Sequence, residues 1–303
     1  MITSVKEKIS HTPIQVRSKS SSKVKLPLAL RIIQWSYPKI EAIAPSIAHR
    51  WFVNLFFSPI RFPIPSHEMD IIQKADRFSV SFDHKTAECY SWGQGPVVLF
   101  VHGWAGRASQ FKSFFVPFTE AGYRVIAFDA PAHGLTKGSK TSIFDFKNSI
   151  MEIEKKAGRI EAIVSHSLGG GASLFALSEG LKVKRFISIS TPTLAEEIFI
   201  EFASRVNAST KSLDYLKVKI HKIFKRPFEH FMADHFVSLL PQPIHWMIIH
   251  DEQDKEASIR NSERLIEIYP SATLIKTSGL GHVRVLRDEK VIEECLKFIQ
   301  NQK

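Results

Sequence analysis

Ile163-Val164-Ser165-His166-Ser167-Leu168-Gly169-Gly170-Gly171 decides how the chain folds. An apolar run over 160–164 enters a small–x–Ser–x–small pentapeptide, which opens a helical segment over 168–180. A serine at the centre of such a pattern sits on a very sharp strand-to-helix turn. The residues two places before and after it must be small, because the two backbones nearly touch there. Ser165 and Gly169 meet that demand. The turn exposes the Ser167 hydroxyl as a nucleophile. The helix start leaves the Leu168 N–H aimed at a developing oxyanion.

Upstream, the apolar run 97–101 is followed at once by His102-Gly103-Trp104-Ala105-Gly106. Gly103 lets the backbone turn and aim its next N–H, that of Trp104, toward the same place. His102 precedes that donor and is expected to orient the loop rather than react. Further short apolar runs at 124–128, 186–189, 244–249 and 272–276 alternate with helical patterns at 109–121, 142–157, 258–268 and 289–301. Strands of about five residues alternating with helices imply an α/β fold: a mostly parallel central sheet covered by helices on both faces. Residues 77–92 alternate like a hairpin at a sheet edge, with Phe78, Val80 and Phe82 on one face.

The stretch 193–242 breaks the alternation and looks helical, so it is expected as a lid over the carboxyl edge of the sheet. Its apolar residues, among them Phe199, Phe202, Phe224, Phe228, Phe231 and Phe236, are expected mainly as core between lid and sheet. Those that reach the pocket would favour an apolar acyl chain.

With these motifs in place, the sequence resembles an α/β-hydrolase-fold serine hydrolase over residues 77–303. Phe128-Asp129-Ala130-Pro131-Ala132-His133-Gly134-Leu135-Thr136 resembles that family's Asp-x-Pro-Gly-His-Gly-x-Ser turn, with Ala132 and Thr136 as departures. Ser165 departs from the usual first glycine of the serine turn. The resemblance implies a triad in the order nucleophile, acid, histidine. In Ile248-Ile249-His250-Asp251-Glu252-Gln253-Asp254, it picks Asp254 as the acid, with Asp251 as the alternative. In Ser278-Gly279-Leu280-Gly281-His282, it picks His282 as the base.

A serine, rather than the aspartate of dehalogenase and epoxide-hydrolase relatives, implies acyl transfer through an acyl-enzyme. Trp104 and Leu168 would supply the oxyanion hole, Trp104 would line the substrate site, and His166, beside the nucleophile, would either line that site or serve packing. No metal or cofactor is implied. The expected reaction is carboxylic ester hydrolysis on a small or medium apolar acyl substrate. The alternatives are a membrane-surface lipase or acyltransferase and a catalytically silent binding protein of the same fold.

Composition is that of a globular protein: 303 residues, 44% hydrophobic and 23% charged, with 23 phenylalanines. The net charge of +11 is concentrated. Residues 1–25 hold six basic side chains against Glu7, and residues 205–227 hold seven against Asp214. Neither stretch has the aromatic interleaving of a single-strand binder, so no nucleic-acid partner is expected. Residues 1–25 read as a disordered basic tail. Residues 26–62 read as two or three amphipathic helices punctuated by Pro38 and Pro45. These either pack on a hydrolase domain of residues 63–303 or lie on a membrane surface. Two distant cysteines, Cys89 and Cys295, build neither a disulfide framework nor a zinc site. With no secretory signal visible, a cytoplasmic protein is expected.

Overall fold

The computed structural model describes residues 14–15 and 28–301, apart from 242. Short runs of β-branched and aromatic residues become the strands: β1 (Ile14–Gln15), β2 (Asp76–Phe82), β3 (Lys85–Trp92), β4 (Val97–Val101), β5 (Arg124–Asp129), β6 (Ile160–His166), β7 (Arg185–Ile189), β8 (His245–Asp251) and β9 (Thr273–Ser278). They form one sheet in the order β1-β9-β8-β7-β6-β4-β5-β3-β2. All pairings are parallel except β2 with β3 and β3 with β5. The β2–β3 connection turns on Asp83 and His84, both at positive φ (44° and 64°), the backbone that a two-residue hairpin loop needs. Of the expected basic tail, Ile14 and Gln15 pair with Thr277 and Ser278. The rest of that tail lies outside the described residues.

Every residue of β4 is buried, as both faces of a parallel sheet require. On one face, Phe100, Phe111, Phe114 and Phe118 pack with Cys295 and Ile299 of helix Glu289–Gln300. On the other, Phe128, Phe146 and Phe175 pack beneath helices Ile143–Ala157 and Leu168–Ser178. This second core continues into the insertion and the N-terminal segment.

The insertion between β7 and β8 folds as helices Ala195–Val206, Thr210–Phe224 and Ala233–Ser238. Its phenylalanines serve as core. Phe236 stacks on Phe175 at 4.5 Å, and Phe224 on Phe144 at 4.8 Å. Phe202 packs against Phe52 and Phe56 at 5.0 and 5.1 Å. A polar seam adds direction. The Tyr37 hydroxyl lies 2.6 Å from Ser212 Oγ, and Glu41 accepts from the hydroxyls of Ser209 and Ser212, each at 2.6 Å. Burial pushes the Tyr37 hydroxyl up to about 12.

The N-terminal segment differs from the sequence expectation at Pro38. Helix Leu28–Ile43 runs straight through it, and Pro45–Phe56 follows. A proline inside a helix frees the carbonyl four residues earlier. Here that carbonyl, of Gln34, accepts from the Asn207 side-chain amide at 3.1 Å. The insertion thus supplies the hydrogen bond that the proline removes. Helix Ser66–Gln73, which has no clear periodic signal, precedes β2. No helix among the described residues is long and apolar enough to cross a membrane. Cys89 and Cys295 are both buried free thiols.

Candidate active site

Strand register brings four loops to one edge. Val101 pairs with Ser165, Ile189 with Ile249, and Asp251 with Thr277, so β4, β6, β8 and β9 end side by side. Ser167 follows β6 at φ 52° and ψ −125°. A non-glycine residue held there stores about 1–3 kcal/mol of strain, which the surroundings must over-determine. Its N–H donates to Ile189 O at 2.9 Å, and its carbonyl accepts from Gly170 N–H at 2.9 Å. A Cβ on Gly169 would collide with the carbonyl oxygens of Val101 and His102, and one on Gly103 would lie 2.7 Å from Ser167 Cβ. The fully buried Ser165 fits because its hydroxyl donates to Ile187 O at 3.0 Å.

The loop after β4 is fixed by buried polar groups. His102 Nε2 accepts from Ala130 N–H at 3.1 Å, so Nδ1 carries the proton that faces Gly103 O at 2.7 Å. His133 repeats the device: Nε2 accepts from Ala105 N–H at 3.0 Å, and Nδ1 faces Pro131 O at 3.1 Å. Asp129 Oδ1 accepts from Ala108 N–H at 2.8 Å. Its Oδ2 accepts from Leu135 N–H at 2.8 Å and the Tyr90 hydroxyl at 3.0 Å. Burial holds both histidines neutral, His102 well below its ordinary value and His133 down to about 4. This lashing leaves two backbone donors free. Among the described residues, neither the Trp104 N–H nor the Leu168 N–H has an acceptor. Trp104 itself is half-buried, with its ring edge-to-face with His133 at 5.7 Å.

On the far side, His282 Nδ1 lies 2.7 Å from Asp254 Oδ2. Asp254 Oδ1 accepts from the N–H groups of Glu256 and Ala257 at 2.8 and 3.0 Å. Burial alone would raise this carboxyl. Hydrogen bonds from His250, His282 and Ala257 overcome that and hold it well below the usual carboxylate range. His250 is wholly buried, with Nδ1 2.6 Å from Ser262 Oγ and Nε2 2.9 Å from Ala257 O and 3.5 Å from Asp254 Oδ2. Asp251 has a different task. Its Oδ2 accepts from the Thr277 hydroxyl and Leu280 N–H, both at 2.9 Å, and so ties the end of β8 to the loop that carries His282.

His166 sits against the loop that carries His282. It is 5% exposed, and its Nε2 lies 2.8 Å from the backbone oxygen of His282, with the two rings 4.6 Å apart. Burial depresses it to about 3, so the neutral ring donates to that carbonyl. Its hydrogen bond goes to the loop of His282. The contact also seats His282 against the residue that precedes Ser167.

Some supporting residues carry no sequence signal. Glu68, on helix Ser66–Gln73, is buried and accepts from Arg107 Nε and Ser109 Oγ, both at 2.7 Å. Arg61 donates to the carbonyls of Ala132 and Gly138 at 3.0 and 2.9 Å. Only their long-range partners reveal them. Among the described residues, no cluster of three or more His, Cys, Asp or Glu side chains is placed to hold a metal ion.

The family model described as the alpha/beta hydrolase fold matches residues 96–242. The chain is 30% identical to the magnesium-chelatase 30 kDa subunit of Rhodobacter capsulatus over 32% of its own length and 34% of that protein. It is 33% identical to the non-heme chloroperoxidase CPO-A1 of Kitasatospora aureofaciens over 26% of its length and 30% of that protein. The matches thus span about a third of these relatives. Among solved structures, the Pyrococcus furiosus esterase Pf2001 superposes with a TM-score of 0.61 at 16% identity, covering 80% of this chain and 96% of that one.

Proposed function

We propose, from the premise that this chain belongs to the α/β-hydrolase-fold family, that it is a serine hydrolase cleaving carboxylic esters through an acyl-enzyme. The observation that carries this reading is the Asp254–His282 pair, held against the residue that precedes the strained Ser167 turn. The fold by itself names no reaction. The relatives include a chelatase subunit, a chloroperoxidase and an esterase.

The steps follow from the groups. Asp254 accepts a hydrogen bond from His282 Nδ1–H, which leaves Nε2 as the basic nitrogen. Nε2 takes the Ser167 hydroxyl proton as Oγ attacks the ester carbonyl. The tetrahedral oxyanion is held by the N–H groups of Trp104 and Leu168, each worth about 3–4 kcal/mol. His282 returns its proton to the departing alcohol, and the acyl group remains on Ser167. Water, deprotonated by His282, then attacks the acyl-enzyme and releases the acid. Asp254, kept ionised, stabilises the imidazolium at each transfer.

The acyl group is apolar in this reading, with Leu135 and Val283, on the loops after β5 and β9, as the exposed apolar residues offered to it. His166 acts in this scheme as a positioning residue for His282.

The test is hydrolysis of p-nitrophenyl esters from acetate to laurate, with wild type and Ser167→Ala. The reading expects turnover that peaks at short to medium chains and disappears in the variant, with an unchanged thermal unfolding curve. Absence of turnover in well-folded wild type across the series contradicts it and favours a binding role for the scaffold.

A further inference from the structure

Helix Leu28–Ile43 is apolar on two opposite faces. Leu30, Ile33, Tyr37 and Ile40 face the core. At about 100° per residue, Leu28, Ile32, Trp35, Lys39 and Ile43 fall on one narrow stripe on the other side. That stripe is open: Leu28 is 69% exposed, Ile32 55%, Trp35 67% and Ile43 86%. Ile47, at 57%, extends it onto the next helix. A helix with one buried apolar face needs only polar residues outside, so the second apolar face requires a second partner.

The surrounding charge says which partner. From Lys8 to His67 the sequence holds nine lysines and arginines and a single acidic residue, Glu41. That carboxylate is turned inward onto Ser209 and Ser212. In the middle of the stripe, Lys39 Nζ lies 3.3 Å over the Trp35 ring, an apolar stem and aromatic body with the charge held at the surface. Apolar side chains with a tryptophan, flanked in sequence by cations, match the boundary between acyl chains and anionic headgroups. A second copy of the chain fits worse, because it would set two such basic segments face to face.

We propose that the outward stripe of helix Leu28–Ile43 docks this protein on an anionic lipid bilayer, with Leu28, Ile32, Trp35 and Ile43 entering the headgroup–acyl boundary. Arg31, beside the stripe, and Lys39, within it, pair with lipid phosphates. The basic residues that precede the helix add attraction that salt screens. The inference stands whether or not Ser167 is reactive.

The test uses the full chain and vesicle co-sedimentation. Vesicles of phosphatidylcholine alone are compared with vesicles holding about 30 mol% phosphatidylglycerol, in about 0.1 M salt. The variant Ile32→Ser/Trp35→Ser/Ile43→Ser changes only exposed side chains, and its fold is checked by its thermal midpoint. Wild type is expected to sediment with the anionic vesicles only. The triple variant should partition at least about tenfold less well with an unchanged midpoint. Quenching by brominated lipids should be weaker in Trp35→Phe than in wild type. Three results overturn the proposal. Wild type remains in the supernatant with anionic vesicles; the triple variant sediments as well as wild type, which would assign binding to the basic residues alone; or sedimentation velocity shows a dimer that the triple variant abolishes.

Discussion

The carboxyl edge of the sheet and the helical insertion are built by different physics. At the edge, His102, Asp129, His133, His166 and Asp251 are all buried, and each makes hydrogen bonds that join two loops. Such bonds are directional, so they fix atoms to within a fraction of an ångström. In the insertion, Phe202, Phe224 and Phe236 are held by packing, which is strong but tolerant of small displacements. The edge sets geometry, and the insertion sets stability. The contrast predicts that isosteric changes at the edge damage chemistry, while volume changes in the insertion damage folding.

The largest expected effect sharpens the contrast within a single loop. Asp254→Asn should lower kcat by roughly 10³–10⁴-fold, because the amide no longer orients and charges the imidazole correctly. Asp251→Asn should cost about 1–3 kcal/mol of stability and only about tenfold in kcat, because that carboxylate serves the backbone of the loop. Ester turnover and thermal melts of both variants decide the matter. Equal losses of kcat would erase the distinction between the two aspartates.

In the insertion, Phe236→Ala should destabilise by about 3–5 kcal/mol, since it removes a ring stacked on Phe175. Phe236→Leu should recover most of that. Turnover per folded molecule should be nearly unchanged in both, and a large loss of kcat without loss of stability would break the comparison.

Acid should strike the edge. His133 and His166 have folded-state values of about 4 and about 3, against an ordinary 6.5, and His102 is also far below that value. Below 6.5 the unfolded chain therefore binds more protons than the folded one. Stability present at neutral pH is lost as pH falls through that window, by about 2 kcal/mol per histidine between pH 7 and pH 5. Urea unfolding followed by tryptophan fluorescence at the two pH values tests this. A midpoint independent of pH would mean these rings are not buried and neutral.

The smallest effect lies where the insertion meets the N-terminal helix. Asn207 sits at φ 55°, so Asn207→Gly keeps the backbone and removes only the amide that serves Gln34 O. A loss of about 0.5–1.5 kcal/mol is expected from denaturant midpoints. No loss would mean that the carbonyl freed by Pro38 is satisfied by water.

Local patterns made much of the fold readable. The 160–171 stretch, the 77–92 hairpin and the β–α alternation depend on neighbours in sequence, and β6, β2–β3 and the parallel sheet appear where those patterns place them. The resemblance picks Asp254 and His282, and the fold brings these two side chains to 2.7 Å, each on a loop after a strand that the alternation locates. Features that depend on distant partners were not readable. Pro38 marked a helix break only until Asn207 supplied the missing donor. Glu68 looked like an ordinary first-turn acid until Arg107 and Ser109 met it across the fold. His166 reads equally as pocket lining or packing, and only its distant partner, the carbonyl of His282, shows its hydrogen bond.

The proposed chemistry rests on an activated Ser167 at the turn after β6. Its most direct test is labelling with a fluorophosphonate, located by peptide mass spectrometry in wild type and in Asp254→Asn. The account predicts a single phosphonylated residue, Ser167, modified rapidly in wild type and far more slowly in the variant. Well-folded wild type that resists the reagent, or that carries the label on another residue, would contradict it.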